Sequence, residues 1–134
     1  MKINKINYSD FEKIDIRLGT ILEASKYDKL KVPSILLKID FGNEIGIKKS
    51  SAQIRSNYEV SDLINKQVIA VVNFKPKQIG KIVSEVLVLG LPNVKNEPIL
   101  LSPDIKLENG VKLYWFKLVA KQIILTPLNQ ICLI

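Results

Sequence analysis

Apolar residues alternate with polar ones from the first segments of the chain, and the alternation has the period of a strand. Ile14, Ile16 and Leu18 share one face, while Asp15 and Arg17 take the other. Just before them, Ser9-Asp10-Phe11-Glu12 has the spacing of a capping box, which predicts a short helix. Gly19 interrupts the strand and Thr20-Ile21-Leu22 resumes it, so a bulge or sharp bend is expected at the glycine. A charged loop, Lys26 to Lys31, leads to Pro33, which suits the start of a strand where no backbone donor is needed. Ile35, Leu37, Ile39 and Phe41 then alternate with Leu36, Lys38 and Asp40. Gly42-Asn43 reads as a hairpin turn, and Ile45–Ser51 returns as the third strand.

The polar stretch Gln53 to Lys66 offers a helix start at Ser61-Asp62 and buried contacts at Leu63-Ile64. Gln67 to Phe74 is a fourth strand. Val68, Ala70, Val72 and Phe74 lie on one face, Ile69 and Val71 fill the other, and Asn73 breaks that second face. Lys75 to Lys81 reads as a loop around Pro76 and Gly80, and Ser84–Gly90 as the fifth strand. Short extended pieces follow at Ile99–Ser102 and Ile105–Leu107, with a turn at Asn109-Gly110. A mainly β fold is therefore expected: a five-stranded OB-fold Greek-key barrel with short helices and N- and C-terminal extensions, the helix between the third and fourth strands being its usual mark.

Composition narrows the chemistry. The chain has 134 residues, 47% of them hydrophobic and 25% charged, which suits one globular domain. Its formal net charge is +7, and the window from Lys48 to Lys81 holds seven basic residues against two acidic ones, so most of the excess sits there. Such a window attracts polyanions. Histidine is absent and Cys132 is the one cysteine, which removes Ser-His and Cys-His pairs, zinc sites and internal disulfides. The six glycines are isolated, so no phosphate-cradling loop is present. No catalytic residue, metal ligand or cofactor is expected. No signal peptide and no long apolar run is visible, which predicts a cytoplasmic protein without stable membrane insertion.

Three stretches carry more donors than a solvated strand face requires. They supply Lys48, Lys49, Ser50, Ser51 and Gln53; then Asn73, Lys75, Lys77 and Gln78; then Ser84 and Glu85. An OB barrel binds ligands across its second and third strands and the adjoining loops. Alternation sends Lys48 and Ser50 to one side and Lys49 and Ser51 to the other; the favoured set is Lys49 and Ser51 with Asn73, Lys77 and Ser84. For RNA, the lysines serve phosphates while Ser, Asn and Gln serve 2′-hydroxyls and base edges. Stacking looks weak, because Phe41 and Phe74 fall on core faces and Tyr58 is the best exposed aromatic candidate. That favours recognition of folded RNA by shape. A polypeptide ligand needs apolar surface or an open sheet edge, with Glu85 and Asn73 available to its backbone. Ser50 and Ser51 have no base beside them and are not read as nucleophiles.

Asp10-Phe11-Glu12-Lys13 with Asp15-Ile16-Arg17, Asp40-Phe41-Gly42, Ile45–Ile54, Val71-Val72-Asn73-Phe74 with Pro76-Lys77-Gln78-Ile79-Gly80, and Ser84–Gly90 together resemble the CsaA type of stand-alone tRNA-binding-domain protein. The resemblance runs from Asp10 to about Leu113. It implies an OB barrel that is a homodimer through its extensions and barrel side, without cofactor or catalysis. It implies a chaperone-like protein for unfolded or export-bound preprotein polypeptides, with the secretion machinery as a further partner. The alternative it implies is a structure-specific tRNA-binding module, stand-alone or acting with an aminoacyl-tRNA synthetase. Proteins of this type stop near Gly110–Leu113, whereas this chain continues. Residues 1–113 are therefore read as the OB domain and residues 114–134 as an apolar tail. Three readings fit the tail: packing on the barrel or across the dimer, an adhesive arm for a partner or membrane, or an accident of the reading frame with little role.

Overall fold

The computed structural model describes residues 2–113, so the tail from residue 114 onward lies outside the described residues. A short helix, α1 (Tyr8–Glu12), precedes the long strand β1 (Ile16–Tyr27). The capping box at α1 is made by Asn7 and Asp10, two residues upstream of the Ser9/Glu12 pair that the sequence suggested. β2 (Ser34–Asp40), a one-turn helix α2 (Gly42–Ile45) and β3 (Ile47–Ala52) follow. Next come α3 (Val60–Leu63) and β4 (Gln67–Val71), the hairpin β5 (Lys77–Ile79) and β6 (Ile82–Ser84), then β7 (Leu87–Val88), β8 (Gly90–Pro92) and β9 (Pro98–Leu100).

Five strands form one antiparallel sheet in the order β3-β2-β1-β4-β7, curled into a nearly closed OB-type barrel. The alternation of the second strand is realised in full. Ile35, Leu37, Ile39 and Phe41 are all buried, while Lys38 is exposed. Ile21, Val68 and Ala70 meet them from β1 and β4, and Leu63 of α3 closes one end. The turn that follows this helix is tied to the bent strand by main-chain bonds, Ile21 N–H to Lys66 O at 2.9 Å and Asn65 N–H to Ile21 O at 2.8 Å.

Several elements differ from the sequence expectation. The register of β1 against β2 slips between Ile21 and Glu23, so the bulge lies after Gly19 and not at it. Gly19 serves another purpose: a Cβ there would lie 2.6 Å from Ile39 and 2.8 Å from the Phe41 ring. Gly42-Asn43 does not turn a two-residue hairpin. It opens α2, which Gly46 ends in a positive-φ conformation, φ 85°. β4 stops at Val71, because Asn73 draws the chain away toward Lys13 and Asp15. Phe74 consequently leaves the core face and is 56% exposed. The expected loop over Lys75–Lys81 is largely a hairpin arm, and the expected strand Ser84–Gly90 is divided among β6, β7 and β8. Ile105–Leu107 is not a strand.

Residues 101–113 form a strap that pairs with the edge of β1 ahead of its pairing with β2 and reaches β4 at Gln67. Leu18 N–H bonds Val111 O at 3.0 Å, Gly110 N–H bonds Leu18 O at 2.8 Å, and Leu113 N–H bonds Ile16 O at 2.8 Å. The Gln67 amide pins the strap from both sides, accepting from Leu107 N–H at 3.0 Å and donating to Leu107 O at 2.7 Å. Arg17 adds a bond to Gly110 O at 3.0 Å. Its guanidinium also bonds the Asp15 carboxylate, which holds that carboxyl below its ordinary range and raises Arg17.

Candidate functional site

The register of β2 and β3 decides which donors face outward. Lys38 pairs with Lys49, Leu36 with Ser51 and Leu37 with Ser50. Lys49 and Ser51 therefore stand on the outer face beside Lys38 and Leu36, while Ser50 turns in with Leu37. Ser50 is 3% exposed and donates its hydroxyl to Val86 O at 3.1 Å. Its hydroxyl is thus engaged at the edge of the barrel interior and does not stand with Lys49 and Ser51 on the outer face. Lys48 is half-buried at the rim, with its ammonium 4.0 Å from the Glu85 carboxylate.

Ser84 and Glu85 are engaged with β3 itself. Glu85 Oε1 accepts the Lys49 N–H at 3.1 Å, and Ser84 Oγ accepts the Ser51 N–H at 3.2 Å. Lys77 pairs with Ser84 across the β5–β6 hairpin, which brings that arm to the same edge. Lys75, Lys77 and Gln78 are exposed, and Gln78 donates to Gly80 O at 2.6 Å, holding the hairpin turn. Gln53 is exposed at the far end of β3. Asn73 is turned elsewhere. Its Oδ1 accepts from Asp15 N–H at 2.9 Å and its Nδ2 donates to Lys13 O at 2.7 Å, so both ends of the amide clamp the entry into β1. Tyr58 is not a stacking platform: it is half-buried against the core and its hydroxyl accepts the Leu100 N–H at 2.9 Å.

A groove of about 390 Å³ lies between the β2–β3 face and the hairpin. Leu36, Ile82 and Val83 give it an apolar lining, and Lys38, Lys49 and Lys81 give it positive charge. One carboxylate, Glu23, shares the groove and pairs with Lys38 at 3.2 Å. Lys38, Lys81 and Glu23 escaped the sequence reading. Lys38 had a usable signal, because it is the outward position of an otherwise apolar alternation facing the Lys48-Lys49 strand. Lys81 and Glu23 had none, since only the hairpin's fold-back and the β1 bulge bring them to the groove. Among the described residues no group of three or more acidic, Cys or His side chains is placed to hold a metal ion. No described helix is long and apolar enough to cross a membrane.

Comparison with known proteins fits this barrel. The domain family described as "Putative tRNA binding domain" matches residues 16–112. The structure of chaperone CsaA from Bacillus anthracis is 46% identical in sequence, with a TM-score of 0.77, covering 83% of this chain and 100% of that one. That of the CsaA chaperone protein from Picrophilus torridus is 52% identical, with a TM-score of 0.77, covering 82% and 100%. The methionine–tRNA ligase of Christiangramia forsetii is 33% identical over 105 residues, which are 78% of this chain but 14% of that protein. The chain thus spans a small fraction of the ligase and the whole of the CsaA proteins.

Proposed function

This chain belongs to the tRNA-binding-domain family, and we propose that within it the protein is a non-catalytic, homodimeric chaperone of the CsaA type for unfolded or export-bound polypeptides. The observation that carries this reading is the groove. Its Leu36, Ile82 and Val83 lining accepts apolar side chains, and Lys38, Lys49 and Lys81 favour the acidic residues beside them. Apolar surface next to a sheet is what an extended chain requires, whereas a pure phosphate site needs no apolar floor. Similarity to CsaA chaperones over their full length supports the same reading. Cytoplasmic residence and contact with the secretion machinery belong to this proposal.

Suppression of the aggregation of a denatured protein tests it. Suppression that persists through moderate salt is expected, because apolar burial is little screened. Complete failure to bind any unfolded polypeptide would remove the proposal.

A second reading, a tRNA-binding module, is favoured by the exposed lysines Lys75, Lys77 and Lys81 on and around the hairpin. It fits the similarity to methionine–tRNA ligases. Here affinity should fall steeply with salt, with a log–log slope of about −0.7 to −0.9 per phosphate contact. Replacing Lys49 and Lys77 with alanine should weaken tRNA binding and flatten that slope. An unchanged slope would exclude this face for RNA.

A further inference from the structure

β3 is an end strand of the five-stranded sheet, and an end strand leaves a row of backbone groups without a ladder partner. In this barrel the row meets residues 84–86, and side chains complete the seam. One main-chain bond crosses it, from Glu85 N–H to Lys49 O at 2.8 Å. The Lys49 N–H is accepted by the Glu85 carboxylate and the Ser51 N–H by the Ser84 hydroxyl. Lys49 and Ser51 are two residues apart, so their N–H groups leave the same side of the strand at its own period. A carboxylate and a hydroxyl thus occupy the places where the carbonyls of a paired strand would stand. The groove adjoins this seam at Lys49 and Ser50, and a second cavity of about 260 Å³ adjoins it at Ser51, Ala52 and Leu87.

We propose that an extended segment of unfolded polypeptide enters this seam as an added strand beside β3. Its main-chain carbonyls take the N–H groups of Lys49 and Ser51 in place of the Glu85 and Ser84 side chains, and one of its N–H groups takes Lys49 O in place of the Glu85 N–H, so residues 84–86 draw back from β3 as the segment enters. The proposal rests on the polypeptide reading above and supplies its mode of binding. Backbone pairing reads extension and not sequence, which suits a protein that must hold many different chains. Alternate side chains of the added strand then fall into the groove, where the apolar lining and three lysines against one glutamate select them. The displaced Glu85 carboxylate keeps a partner, since the Lys48 ammonium is already 4.0 Å away.

Amide hydrogen exchange of the full chain, with and without reduced and carboxymethylated α-lactalbumin as the unfolded ligand, tests the proposal. Saturation should slow exchange at the Lys49 and Ser51 amides by about tenfold or more, because ladder bonds open less often than side-chain bonds at the surface. A backbone N-methyl scan of an unstructured ten-residue peptide of alternating leucine and glutamate gives the second readout. Methylation at one parity should weaken binding about three- to tenfold per methyl group, and at the other parity leave it unchanged. If the unfolded protein binds but the two amides keep their exchange rates, or the scan shows no parity, strand addition is overturned while the chaperone reading stands. If neither polypeptide binds, both fall. Slowing of the same amides by tRNA alone would assign the seam to RNA and likewise overturn the proposal.

Discussion

Gly19 and Asp15 show how single residues set the barrel's geometry. Gly19 is required for space and not for backbone freedom, because its missing Cβ is the room that Ile39 and Phe41 occupy. Gly19→Ala should cost about 1–3 kcal/mol through overpacking, read as a lower urea midpoint with unchanged slope. An unchanged midpoint would mean that the Phe41 ring relaxes freely. Asp15 is held below its ordinary carboxyl range first by its hydrogen bond to Arg17. A carboxyl depressed in the folded state stabilises the protein above its unfolded value, near 3.8, and loses that contribution as pH falls through the lower folded value. Asp15→Asn should therefore be less stable than the parent at neutral pH, with the gap closing in acid. A gap of constant size from neutral pH to about pH 2 would dismiss the ionic explanation. Ser50 teaches a related lesson: a serine in a basic run looks like a ligand donor until strand parity turns it inward to Val86.

The strap of residues 101–113 and the β5–β6 hairpin carry the consequences at the scale of elements. The strap has little regular structure, yet Gln67 and Arg17 tie it to β1 and β4. Gln67→Ala removes a donor and an acceptor from the Leu107 backbone, which should cost about 1–3 kcal/mol. Amide exchange at Leu107 and Gly110 should then quicken selectively, and uniform quickening along the chain would show that the strap does not open as a unit. None of this was legible beforehand, because a glutamine at the start of a strand carries no sign of a partner forty residues later. The hairpin was hidden for a different reason. Pro76 and Gly80 are loop residues by propensity, and only pairing of Lys77 with Ser84 turns the flanks into strands. The same fold-back carries Lys81, Ile82 and Val83 over β3 and creates the groove.

At the scale of the whole molecule, both extensions carry exposed apolar residues, Ile3, Ile6, Val111 and Leu113 among them, as the barrel surface also does. A stable pair of chains needs to bury about 800 Å² on each partner, and such residues are suited to supply it. Solution mass at micromolar concentration should be twice the 15.1 kDa of one chain; a clean monomer would contradict the dimer. By itself the sequence determined the barrel: period-two alternation at Ile35–Phe41 and the apolar run of β4, buried on both faces, read as strands, and α3 between β3 and β4 marks the topology. It also determined where positive charge is concentrated, since lysines stay at the surface wherever the chain runs. Tertiary structure alone decided what those donors do. Hydrogen-bond partners distant in sequence consume Ser50 and Asn73, commit Ser84 and Glu85 to the seam, and leave Lys49 facing the groove beside Lys38 and Lys81. Alternation is a local property that each strand states for itself, whereas a binding face is made where strands and hairpins far apart in the chain meet.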